Sequence, residues 1–172
     1  RTNLDFSLPV DEGQCRVIGI TSSVAGEAKS TTAINLAYML AQTSKQVLLL
    51  EADLRLPTVA KRLKLKQAPG VSNLLVGQCA GNDVLQKSGL ISNMWVATAG
   101  NVPPNPAELV GSKRMATAIK AFSKVFDVIV VDLPPVNVVT DALLLNEVTD
   151  GMVHVVRQGY CDKSALEEAV SQ

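Results

Sequence analysis

Lys29 and Ser30 follow a run of small residues, Thr21 to Ala28, and precede an apolar pattern at helical spacing (Ile34, Leu36, Ala37, Leu40). A lysine and a hydroxyl in that place suit phosphate and a divalent cation. Successive backbone N–H groups and the positive end of a helix face an anion. The lysine neutralises outer phosphates and the Ser30 hydroxyl is placed to ligate Mg²⁺. Three acidic residues complement them. Asp132 ends the apolar run Val128-Ile129-Val130-Val131, where a carboxylate holds Mg²⁺ opposite the lysine. Glu51 and Asp53 lie one residue apart after the apolar run Val47 to Leu50, so an extended chain points both to one side. One of the two is then available to the metal shell and the other to the proton of an incoming hydroxyl. The plainer use of Asp53, Asp132 or Asp141 is to cap a helix, and for Asp141 capping is the favoured reading.

The loop departs from the usual G-x-x-x-x-G-K-[ST] pattern. Ser23 holds the first glycine position, Ala28 holds the second, and Gly26 supplies the flexible joint. The methyl group of Ala28 crowds the phosphates unless φ there is negative.

These residues need a frame. Val17 to Ile20, Val47 to Leu50, Met94 to Ala97, Asp127 to Val131 and Gly151 to Val156 read as strands. Helices are expected over 29 to about 42, 58–65, 71–76, 107–124, 138–148 and 163–170. The polar, turn-rich start of the chain reads as the end of an earlier helix. The strands are continuous apolar runs that alternate with helices. That pattern predicts an α/β fold, a parallel sheet flanked by helices on both faces, in one domain over residues 1–172. Ligands bind such sheets outside the carboxyl ends of the strands. The segments 21–28, 51–55, 98–106 and 132–141 all fall at that edge. Prolines 103, 104 and 106 keep the third of them a loop.

Composition narrows the rest. The chain has 172 residues, 47% of them hydrophobic, and a formal net charge of zero. This balance gives no case for nucleic acid or a charged membrane surface as the main partner. No apolar run reaches the ~20 residues that span a bilayer. Cys15, Cys79 and Cys161 are scattered, have no metal spacing, and read as small buried hydrophobes in a reducing compartment. Trp95 and Tyr38 read as core, and His154 as packing without a visible partner. Lys61, Arg62, Lys64 and Lys66 read as a solvated basic face.

Together the motifs resemble those of the bacterial tyrosine kinases. Thr21-Ser-Ser-Val-Ala-Gly-Glu-Ala-Lys-Ser-Thr31 is similar to that family's Walker A segment, T-S-S-x-P-G-E-G-K-S-T. Leu48 to Pro57 looks like its Walker A′ motif, D-x-D-x-R-x-P, and Phe126 to Val136 like its Walker B. Gly100 to Leu109 matches a family loop, and Arg1-Thr-Asn-Leu4 resembles the end of its N-terminal helix. Val24 stands where septum-site and partition ATPases carry an extra lysine.

The resemblance implies a P-loop NTPase fold and an ATP- and Mg²⁺-dependent protein-tyrosine kinase. Such a kinase phosphorylates tyrosines, first those of its own C-terminal tail, and works with a transmembrane activator or chain-length determinant in capsule or exopolysaccharide production. It implies a cytoplasmic protein held at the inner membrane face through that partner, with homo-oligomers formed through the N-terminal helix. Residue by residue, it implies ATP contacts from Ser23, Gly26, Glu27, Ala28, Lys29, Ser30, Thr31 and Arg55. Metal contacts fall to Ser30, Asp53 and Asp132, and catalytic roles to Lys29, Glu51, Asp53 and Asp132. Ala28, Glu51 and Ala25 depart from the family pattern, the first two where the chemistry lies. Those two departures motivate the alternatives, a degenerate nucleotide-binding module or a plain ATPase switch. The chain starts without methionine and is expected to stop before the family's last strand and tyrosine cluster, with Tyr160 the only tyrosine besides Tyr38.

Overall fold

The computed structural model describes residues 13–136 and 148–158. The expected helices at 138–148 and 163–170, the N-terminal segment, Asp141, Tyr160 and Cys161 lie outside the described residues, apart from Gly13, Gln14 and Val148.

Six strands form one sheet: β1 (Arg16–Ser22), β2 (Val47–Glu51), β3 (Leu85–Lys87), β4 (Met94–Ala97), β5 (Val128–Asp132) and β6 (Gly151–Val155). Their order is β3-β4-β2-β5-β1-β6. All neighbours pair in parallel except β3 with β4, which is antiparallel. The sheet is therefore mixed, and the all-parallel expectation is corrected at this edge. Leu85-Gln86-Lys87 is short and half polar, so no apolar run announces it.

The central strands carry two interleaved rows of side chains, because successive residues face opposite ways. Val17, Leu48, Leu50, Ile129 and Val131 pack with α3 (Val71–Leu75) and α5 (Lys113–Phe122). Ile18, Ile20, Val47, Leu49, Val128 and Val130 pack with α1 (Lys29–Ala41), which contributes Ala33, Ala37 and Leu40. Both faces are thus covered by helices, and continuous apolar runs become necessary.

Two further short helices, α2 (Val59–Leu63) and α4 (Pro106–Val110), and a 3₁₀ turn over Gly81–Val84 complete the described chain. The single helix expected over 107–124 is two. Ser112 adopts an extended backbone, and its hydroxyl accepts the Met115 N–H at 3.2 Å. That cap starts α5 afresh after Gly111. Proline at the first position of α4 fits its fixed φ.

Trp95 is half-buried and packs against the core as expected, and the Lys87 ammonium lies 3.8 Å from its ring centre as a cation–π partner. Cys15 and Cys79 are free and partly buried. Burial, together with Asp150 and Asp127, pushes the Cys15 thiol up to about 11.

Candidate active site

The loop between β1 and α1 is braced from below. The Glu27 carboxylate is buried and accepts the Val24 N–H at 3.1 Å and the Arg157 N–H at 3.3 Å. Ser22 donates to the Val24 carbonyl at 2.8 Å, and Thr21 donates to the Pro134 carbonyl at 2.9 Å. The Ser23 hydroxyl lies 2.9 Å from His154 Nε2 across the β1–β6 seam. His154 thus has a partner, contrary to its reading as packing alone. Ser23 and Glu27 turn their side chains inward and offer a ligand only backbone.

Gly26 takes φ +90° and Ala28 takes φ +66°, ψ +21°. The condition that would have let Ala28 sit without strain is therefore not met. An L-residue in the left-handed region costs about 1–2 kcal/mol, which explains why glycine is the usual residue there. The Ala28 carbonyl nevertheless starts α1, accepting the Thr32 N–H at 2.9 Å.

Lys29 reaches across to the ends of β2 and β5. Its ammonium lies 2.6 Å from Asp53 Oδ2 and 3.4 Å from Asp132 Oδ1. The two carboxylates are locked to each other through the backbone. The Asp132 carbonyl accepts the N–H groups of Ala52 at 2.9 Å and Asp53 at 3.0 Å. Asp132 is fully buried, and its Oδ2 has no hydrogen-bond partner. Burial raises its pKa, the Lys29 charge and the Ser30 hydroxyl lower it, and the Asp53 charge adds to the rise.

An orphaned buried carboxylate oxygen beside a second carboxylate and the Ser30 hydroxyl is a hard-oxygen donor set that fits Mg²⁺. Among the described residues no group of three or more His, Cys, Asp or Glu gathers to hold a metal by itself. Two carboxylates with remaining positions left to phosphate and water is the way Mg²⁺ is usually held.

Glu51 does not join this cluster. Its Oε1 accepts the N–H groups of Thr58 at 2.6 Å and Val59 at 2.8 Å, and its Oε2 accepts the Ala99 N–H at 2.9 Å. Burial raises its pKa, those three amides lower it, and Asp132 adds a smaller rise. Both oxygens of Glu51, expected in an acid–base role, are engaged by backbone, and the side chain fixes the chain leaving β2.

Two cavities open at this edge. One, about 380 Å³, is lined by the loop, Lys29, Ser30, Thr31 and Asp53, and also by Arg62 and Arg157. The other, about 550 Å³, is lined by Leu54, Val102, Pro103, Pro106 and Val110 and rimmed by Arg55 and Glu108. Arg55, expected on the nucleotide, belongs to the second cavity. Arg62 and Arg157 were missed by motif reading. By composition Arg62 belongs to a solvated basic face, and only tertiary structure brings it to Thr31.

A strand-loop-helix phosphate site with carboxylates at the ends of two neighbouring parallel strands, on a mixed sheet covered by helices, defines a P-loop NTPase-type domain. Residues 15–161 match the family described as AAA domain. Within that class the chain belongs to the bacterial tyrosine-protein kinase family. It is 40% identical over 169 residues to the tyrosine-protein kinase YwqD of Bacillus subtilis, covering 98% of this chain and 70% of that relative. The structure resembles the chimerical protein CapA2B2 with a TM-score of 0.89 and 32% identity, covering 99% of this chain and 74% of that one. It resembles the kinase domain of the Escherichia coli tyrosine kinase ETK with a TM-score of 0.91 and 29% identity, covering 99% and 66%.

Proposed function

We propose that this chain is an ATP-dependent protein-tyrosine kinase domain, with the 380 Å³ cavity as the nucleotide site and Lys29, Ser30, Asp53 and Asp132 as its working residues. The observation that carries the reading is the contact of Lys29 with both Asp53 and Asp132 at the edge where the phosphate loop opens. The proposal treats residues 1–172 as one nucleotide-binding domain.

The loop backbone of Gly26 to Ser30 binds the phosphates, and the Lys29 charge orients them. Ser30, Asp53 and Asp132 would hold Mg²⁺, which supplies neutralisation of the charge on the transferring phosphate. The bond from the γ-phosphorus to the bridging oxygen breaks, ADP leaves, and the phenolic oxygen of tyrosine takes the phosphoryl group. Asp53 is the carboxylate placed to accept the phenolic proton, since it lines the first cavity while Ala52 and Leu54 line the second. The second cavity, walled by prolines and aliphatic side chains, suits an aromatic acceptor, which favours a kinase over a plain ATPase switch.

By resemblance to the family, the acceptors are protein tyrosines, including those of a C-terminal tail. The partner is a transmembrane activator, and the setting is capsule or exopolysaccharide production at the inner membrane face. No helix among the described residues is long and apolar enough to cross a membrane. The deciding experiment incubates the protein with Mg-ATP and a tyrosine-rich peptide and reads the product by mass spectrometry. Phosphotyrosine supports the reading. Bound ATP with phosphate release and no phosphotyrosine replaces it with the ATPase switch. No nucleotide binding replaces it with the degenerate module.

A further inference from the structure

Arg62 lies outside every nucleotide motif in the sequence, four residues into a short basic helix, yet it closes one wall of the phosphate cavity. Its Nη1 donates to the Thr31 hydroxyl at 2.8 Å. Thr31 sits in the first turn of α1, directly after Lys29 and Ser30, so the guanidinium is tethered over the end of the helix that faces the loop. Its root is fixed too, because α2 begins where Glu51 holds the Thr58 and Val59 amides.

Charge favours a further protein cation there beside Lys29 and Mg²⁺. The Lys29 ammonium is shared between Asp53 and Asp132, which leaves that inner group one charge negative. A polyphosphate entering the cavity meets the Asp53 carboxylate on its wall and a lysine already committed to that carboxylate and to the buried Asp132. Arg62 is exposed and presents a planar fork of donors suited to phosphate oxygens. Among the described residues the Thr31 hydroxyl takes one of those donors, which leaves others to reach an anion without breaking the tether.

We propose that Arg62 is a phosphate-binding residue of this chain, supplying from α2 a guanidinium that grips the nucleotide's phosphates beside Lys29. The inference rests on the reading of this cavity as the nucleotide site and adds to it a residue that specifies the polyphosphate.

The test compares the unaltered protein with Arg62→Ala and Arg62→Lys by calorimetric titration, using Mg-ATP and, separately, magnesium pyrophosphate. Pyrophosphate isolates the phosphate contacts from those to base and ribose. Arg62→Ala is expected to weaken both ligands roughly tenfold, the size of one charge-assisted hydrogen-bond set. Arg62→Lys is expected to recover only part, because a lysine keeps the charge and loses the fork. Thermal melting of the variants should match the unaltered protein, since the side chain is exposed. ATP weakened with pyrophosphate untouched assigns Arg62 to the nucleoside and overturns the inference. Equal affinities for all three proteins overturn it as well. An unaltered protein that binds neither ligand removes the nucleotide reading itself, which the first titration distinguishes from a failure of Arg62 alone.

Discussion

Glu51 and Asp53 leave the same strand end, carry the same charge and are both buried, yet they meet different surroundings. Asp53 faces Lys29, and its second oxygen accepts the Leu56 N–H at 3.1 Å. Glu51 faces three backbone amides and no cation. A fully extended chain would put the two on one side, but the strand ends at Glu51, and beyond it the backbone turns to pair with the Asp132 carbonyl. The lesson is that a carboxylate's role follows what its oxygens touch: a group that accepts three amides works as frame, and one that shares a lysine works in chemistry.

The division can be broken by mutation. Glu51→Ala strips acceptors from three amides and is expected to destabilise the fold by about 3 kcal/mol, since each buried unsatisfied donor costs roughly 1–3 kcal/mol. Urea unfolding measures it, and a loss under about 1 kcal/mol would return Glu51 to the chemistry. Asp53→Asn should do the reverse. Its amide oxygen still serves Leu56, so stability should change by less than about 1 kcal/mol, while phosphotransfer falls on the order of a hundredfold, as for loss of one electrostatic group at a reacting centre. Single-turnover kinetics beside a thermal melt separates the two effects.

A control lies away from both. Ser112→Ala removes the cap of α5 and is expected to cost about 1 kcal/mol with unchanged phosphotransfer. A drop in rate there would mean that loosening the frame alone slows the reaction. The smallest expected effect belongs to Ala28→Gly, which relieves the left-handed strain and should raise stability by up to about 1 kcal/mol. Nucleotide affinity should rise with it in the same calorimetric titration. Unchanged affinity would show that the methyl group does not meet the phosphates.

Much of this arrangement was legible in the residues. Continuous apolar runs named β1, β2, β4 and β5 because strands buried on both faces admit little else, and the largely apolar run 151–155 named β6 although that strand is only half-buried. Lys29, Ser30 and Asp132 were legible because phosphate and metal chemistry demands those groups at strand and helix ends. Three features were not. The edge strand β3 has no apolar run to mark it. The Ser23–His154 and Arg62–Thr31 contacts join residues 131 and 31 positions apart, and no local pattern encodes such a meeting. The Glu51 contacts depend on where three amides of two later loops arrive.

Those three amides also set a distance. Thr58, held by Oε1, forms part of the wall of the phosphate cavity. Ala99, held by Oε2, lies three residues before Val102, where the wall of the apolar cavity begins. A single buried side chain therefore acts as an alignment pin between the two chambers. The spacing from phosphate loop to proline loop is set at Glu51, so an error there would misregister both chambers at once without changing the identity of any residue that lines them.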